Sequence, residues 1–406
     1  MSALAIDGGS PVRPAPFPAW PVMSDEHISA VEAVVRSGRL NYWAGTQGGE
    51  LEVEYAKHLG RAHAVAVANG TVAIELALRA FGLGAGDEVV VPARTFIATA
   101  SAVVAVGATP VIADVDPISG NLTAKTATAA LTDRTRALIA VHVGGWPADM
   151  DPINTLASER DLVVIEDCAQ SHGGRYRGLP VGNLRSHAAT FSFCQDKIIA
   201  VGDGGLLVLD DDEAYERAWS YKDHGKSRAK VAQAAAGHDA TSFKWLIDGF
   251  GTNWRLDEMS AALARVGLAK LPEWHAARTA NARALAGALA DPGIAIDAPL
   301  PPEDVAHAFY RLYGYVDPSR LRPEWDRDRI LRALASEGIP AHYGVCAEIY
   351  REGAFACAGL GPRERLPVAR ELHETAIAFH VHPALSQLEM AETADAVLKV
   401  MRVAQL

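Results

Sequence analysis

Val163-Val164-Ile165-Glu166-Asp167-Cys168-Ala169-Gln170-Ser171-His172-Gly173-Gly174 is the stretch that decides the fold. Val163 to Ile165 is a continuous β-branched run, the composition of a strand covered on both faces. It closes on two acids, and open α/β sheets bind ligands at the carboxyl ends of such strands. Adjacent strand residues point to opposite faces, so only one of Glu166 and Asp167 can meet a ligand there. This excludes reading them as the paired acid–base carboxylates of a glycosidase. A second short strand, Thr190 to Phe193, delivers Ser192 and, just beyond it, Lys197; Gly202-Asp203-Gly204-Gly205 follows.

Outward from this window the same rhythm continues. Apolar runs at 63–68, 88–91, 110–115, 137–143 and 206–209 alternate with helical patterns at 72–81 and from Phe96 onward, which predicts βαβ units and a mostly parallel sheet. Thr95 to Ala113 carries no charge but breaks at Gly107-Ala108-Thr109-Pro110, so it reads as a buried helix turning into a strand rather than a membrane span. A long amphipathic helix after Leu256 leads out of this region. Tyr310–Val316 and a helix near 329–337 fit a smaller α+β unit. The Pro- and Gly-rich start reads as an extended arm. The expected division is an arm over 1–24, a large domain over 25–270 and a small domain over 271–406.

The net charge of −11 and the lack of a basic run argue against nucleic acid or an anionic membrane as partner. Four cysteines without a C-x-x-C pair suit a reducing cytoplasm, and the N-terminus has no export signal. His373, His380 and His382 could suggest a metal, with 380 and 382 on one strand face. No carboxylate or cysteine spacing completes a zinc site, so no metal is expected.

An acid for a ring nitrogen, a lysine for covalent attachment and a hydroxyl for a phosphate are the parts of a pyridoxal 5′-phosphate (PLP) site. Singly, each reads as a helix cap or a surface charge; their order is more specific. The run resembles E-D-x-A-Q/H-x-x-G … F-S-F-x-x-x-K … G-E-G-G of the DegT/DnrJ/EryC1/StrS family of PLP-dependent sugar aminotransferases, of fold-type I. Asp203 stands where that family usually has Glu. Further motifs extend the resemblance from Gly8-Gly9 to His382-Pro383: Asn69-Gly70-Thr71-Val72-Ala73, Pro92 to Thr99, and Gly251 to Glu258.

The resemblance implies a seven-stranded, mostly parallel sheet with a smaller C-terminal domain, and it assigns roles. Lys197 carries the cofactor and Asp167 keeps the pyridine nitrogen protonated. Gly70, Thr71 and Ser192 bind the phosphate, Phe96 stacks on the ring, and Gln170 contacts the ring oxygen. Asn253 reaches the phosphate of a partner subunit, implying a homodimer with shared sites. The donor is glutamate or glutamine. The acceptor is a keto sugar, most simply nucleotide-linked, with a keto-cyclitol or an aminohydroxybenzoate-type precursor as the alternative. Ala341 to Tyr350 lacks the Y-P-x-P-x-H of many nucleotide-sugar members. A non-catalytic, PLP-binding regulator is a further alternative, against which the intact Lys197 argues.

Overall fold

The computed structural model describes residues 3–236 and 245–406. Its centre is a sheet of β1 (His63–Val67), β2 (Glu88–Pro92), β3 (Thr109–Ala113), β4 (Thr135–Val141), β5 (Val163–Asp167), β6 (Ala188–Ser192) and β7 (Gly205–Leu209). Their order is β1-β7-β6-β5-β4-β2-β3. Every pairing is parallel except the two made by β7. The apolar runs therefore form the expected seven-stranded, mostly parallel sheet. β6 and β7 are buried along their whole length, as helices on both faces require.

The uncharged stretch divides as its composition suggests. A helix spans Ala98–Ala105, Gly107 turns the chain with φ 87°, and β3 begins at Thr109. Among the described residues no helix is long and apolar enough to cross a membrane. The helix Glu258–Leu289 runs unbroken through residue 270, where the sequence suggested a boundary; Asp257 caps it by accepting from Met259 N and Ser260 N, each at 2.9 Å. Beyond it, Ile296–Asp297, Leu312–Val316, Ala376–Phe379 and Ala341–His342 form a second, four-stranded sheet.

Two features correct the sequence reading. His380 and His382 follow the end of their strand at Phe379, in the loop beyond it, and so do not share a strand face. The arm is not simply extended. Leu4 is buried in the core of the C-terminal part, and Glu337 accepts hydrogen bonds from Ala5 N (2.9 Å) and Val12 N (3.0 Å). Arg13 pairs with Glu389 at 3.1 Å, which fixes the arm's middle to the last helix.

Candidate active site

The carboxyl ends of β1, β2, β5 and β6 enclose a cleft of about 530 Å³. Of the residues singled out from the sequence, Gly70, Thr71, Phe96, Asp167, Gln170, Ser192 and Lys197 all line it; Asn253 does not.

At one end lies the start of the helix Gly70–Ala80. Asn69 caps it by accepting from Val72 N at 3.0 Å, and the open first turn presents N–H groups of the kind that bind phosphate. Position 70 must be glycine, because a Cβ there would lie 2.7 Å from the Ser192 Cβ. Helix start and Ser192 thus form one cradle. Ser192 is fixed by its pairing with Gly205 and by His172, whose Nε2 lies 2.9 Å from the Ser192 carbonyl oxygen. The other ring nitrogen, Nδ1, lies 2.7 Å from the Tyr55 hydroxyl. Burial pushes His172 down to about 4, so the ring is neutral. With one ring N–H, it donates to the carbonyl from Nε2 and accepts from the tyrosine at Nδ1.

Asp167 sits in the cleft wall. Its carboxylate accepts from Thr99 Oγ1 at 3.1 Å and from Ala169 N at 3.1 Å, and Thr95 backs Thr99 at 2.8 Å. Burial raises its pKa against these bonds. Gln170 receives the Gly144 N–H on its Oε1 at 2.7 Å, which fixes the amide orientation and leaves Nε2 as a donor. Phe96 is 64% exposed, an apolar ring standing open at the cleft.

Lys197 reaches the cleft from the loop after β6. Its backbone carbonyl accepts from Trp20 Nε1 of the arm at 2.9 Å, and its Nζ lies 3.2 Å from Asp196 Oδ1. Burial disfavours the ammonium, but Tyr310 and Asp196 outweigh it and hold the amine above its ordinary range. Asn253 is exposed and pairs with Asp223 across a short bridge. Its neighbour Trp254 accepts from Ala68 N at 2.8 Å, which seats this segment beside the end of β1.

His172, Thr95, Thr99, Trp20, Asp196 and Tyr310 were not singled out from the sequence. The two threonines lay inside a quoted motif, and their spacing of four places both on one side of a turn. Nothing local marks Trp20 or Tyr310, which arrive from distant parts of the chain. Among the described residues, His142, Glu166 and Cys168 are close enough to share an ion. His142 already uses both nitrogens, with Glu166 at 3.1 Å and Ala148 N at 3.0 Å, so the trio reads as a structural knot.

A phosphate cradle, an acid facing an open ring-sized space and a lysine within one cleft fit PLP. The DegT/DnrJ/EryC1/StrS aminotransferase family model matches residues 21–398. The chain belongs to this family. It is a PLP-dependent aminotransferase of fold-type I. A solved aminotransferase from Psychrobacter cryohalolentis is 44% identical and superposes with a TM-score of 0.92, over 96% of this chain and 100% of the other. The dTDP-3-amino-3,4,6-trideoxy-α-D-glucose transaminase of Streptomyces venezuelae is 37% identical over 93% of each chain. The L-glutamine:2-deoxy-scyllo-inosose aminotransferase of Streptomyces kanamyceticus is 32% identical over 99% of this chain and 97% of its own.

Proposed function

We propose that this aminotransferase moves an amino group from glutamate or glutamine to a nucleotide-linked keto sugar in amino-sugar biosynthesis. The observation that carries the reading is the convergence of Lys197, Asp167 and the Gly70–Ala80 helix start in one cleft. The helix N–H groups, Thr71 and Ser192 would hold the phosphate, Phe96 would cover the ring, and Gln170 Nε2 would donate to the ring oxygen. Asp167, short of partners in its wall, would pair with the ring nitrogen and hold it protonated, because an adjacent charge of opposite sign favours both ionised forms. Bound there, the protonated ring supplies the electron sink that acidifies the substrate C–H. Lys197 would carry the cofactor covalently. When free, its amine would take the proton from the substrate carbon and later return it. The donor leaves as a keto acid before the acceptor enters, so the kinetics are ping-pong.

Asn253, exposed and outside its own cleft, completes the phosphate site of a second copy in a cytoplasmic homodimer. The helix Glu258–Leu289 carries the chain from a large domain (25–270) to a small one (271–406), with the start of the 1–24 arm packed on the latter and Trp20 reaching Lys197 in the former. Mixing Lys197→Ala and Asn253→Ala chains tests the sharing: one site of the heterodimer carries both lesions and the other neither, so activity should return. Confirmed subunit exchange without recovery would refute it.

The higher identity to the dTDP-sugar transaminase, 37% against 32%, favours the nucleotide-linked acceptor. A keto-cyclitol acceptor is the second reading, favoured by the fuller coverage of the scyllo-inosose enzyme, 99% of this chain, and by the 341–350 segment without its prolines. Enzyme converted to its amino form with glutamate or glutamine should be discharged by nucleotide-linked keto sugars. Discharge by keto-cyclitols alone would overturn the first reading in favour of the second.

A further inference from the structure

Two side chains to which the family motifs assign no role meet the reacting nitrogen. Lys197 Nζ lies 3.2 Å from Asp196 Oδ1 and 4.9 Å from the centre of the Tyr310 ring, and Tyr310 donates its hydroxyl to Asp196 Oδ2. Tyr310 is 7% exposed, comes from the chain just before the strand Leu312–Val316, and is buried in the core cluster that also holds Phe193 and Ile198. The Arg311 guanidinium covers its ring at 4.3 Å and donates to its carbonyl at 2.9 Å. A carboxylate and an aromatic face are together a seat for an ammonium. A lysine bonded to a cofactor does not present one; a released lysine does.

We propose that Asp196 and Tyr310 form the seat of the Lys197 ammonium, filled each time the lysine has been released and carries the substrate's proton. This rests on the reading of Lys197 as the attachment residue. The bonds balance without a further reactant. Release from the cofactor would leave Nζ a neutral amine: the donor nitrogen would take its place and pass one N–H proton to Nζ as the Nζ bond breaks. Nζ would then take the proton from the substrate carbon, with the bound cofactor supplying the sink for the electron pair left behind. The resulting ammonium rests on Asp196 and Tyr310 until it gives the proton back. The seat stabilises released lysine, so it favours displacement by the donor and opposes attachment to the cofactor.

Those opposing effects supply the test. Apoenzyme of the parent, Asp196→Asn and Tyr310→Phe is titrated with PLP, following the absorbance of the lysine-attached form, and the holoenzymes are then titrated with glutamate or glutamine. The Asp196 side chain is half exposed. Water therefore screens its charge, and the shifts should be modest, roughly three- to tenfold. In Asp196→Asn, half-attachment should need less PLP and half-conversion should need more donor. Tyr310→Phe should shift both in the same senses by less, and it carries the test alone if the Asp196 variant does not fold. A merely structural lesion weakens both steps together; that outcome, or no change in either, overturns the seat. Borohydride reduction and peptide mapping of each variant keep the two claims apart: label on another lysine refutes the attachment reading itself.

Discussion

Glu166 and Asp167 are consecutive residues of one strand, both carboxylates and both buried. Glu166 accepts from four donors: His142 Nε2 at 3.1 Å, Gly182 N at 2.8 Å, Leu184 N at 3.0 Å and Ser186 Oγ at 2.5 Å. Burial opposes its charge, but these bonds win, and its pKa lies below the ordinary value. Asp167 accepts from two donors, and burial wins, so its pKa lies above the ordinary value. One acid ties the 182–186 loop to the sheet; its neighbour is left wanting a cation in the cleft. Burial therefore does not separate the two acids. Unmet capacity for a charged partner does.

The largest expected effect lies on the cleft side. Lys197→Ala should remove the absorbance of lysine-attached cofactor and reduce turnover below detection; a variant that keeps both would remove Lys197 from the site. Asp167→Asn should bind PLP and fold normally yet lose about 10²–10⁴-fold in kcat, the range for a displaced acid–base function. Near-parental turnover would leave the contrast with Glu166 without meaning.

Glu166→Gln should show the inverse pattern. Losing a buried, fully bonded carboxylate should cost about 2–4 kcal/mol in denaturant unfolding, with kcat per folded molecule close to the parent's. Acid unfolding gives the sign independently. Glu166 is depressed below 4.5, so its contribution is complete above that pH and is lost as pH falls through its folded value. Asp167 is raised above 3.8, so its charge opposes folding of the apoenzyme at neutral pH, and the opposition is relieved as pH falls. Apo Asp167→Asn should accordingly be no less stable than the parent at pH 7, whereas Glu166→Gln should be less stable. Equal losses in both would break the comparison. The smallest effect expected is that of Trp20→Phe, which deletes the N–H to the Lys197 carbonyl and keeps an aromatic ring. It should cost about 1 kcal/mol, seen as a severalfold drop in kcat, and an unchanged kcat would make the arm's contact incidental.

The strands were legible because a strand buried on both faces writes its burial as a continuous apolar run, and their carboxyl ends line the cleft. The helices Asp25–Ser37 and Gln47–Leu59 were not read from the sequence. The first exposes Ile28 and Val35, and the second exposes Val53, so the apolar positions do not trace one face. The second also opens on Gly48-Gly49, poor helix formers, and its start is stabilised from far away, by Glu258 accepting from Gln47 N and Gly48 N. The candidate site divides the same way. Motif residues on one loop could be found by spacing, whereas Tyr310 and Trp20 are brought to Lys197 by tertiary packing. Even for Glu166 and Asp167, the alternation of a strand showed that they part company but not which faces the cleft.

The most direct test of that division is the protonation state of the cofactor's ring nitrogen, followed by NMR on holoenzyme loaded with ¹⁵N-labelled PLP. The nitrogen should be protonated in the parent and in Glu166→Gln, and should lose its proton in Asp167→Asn. An unprotonated nitrogen in the parent, or a proton lost in Glu166→Gln and kept in Asp167→Asn, would contradict the account.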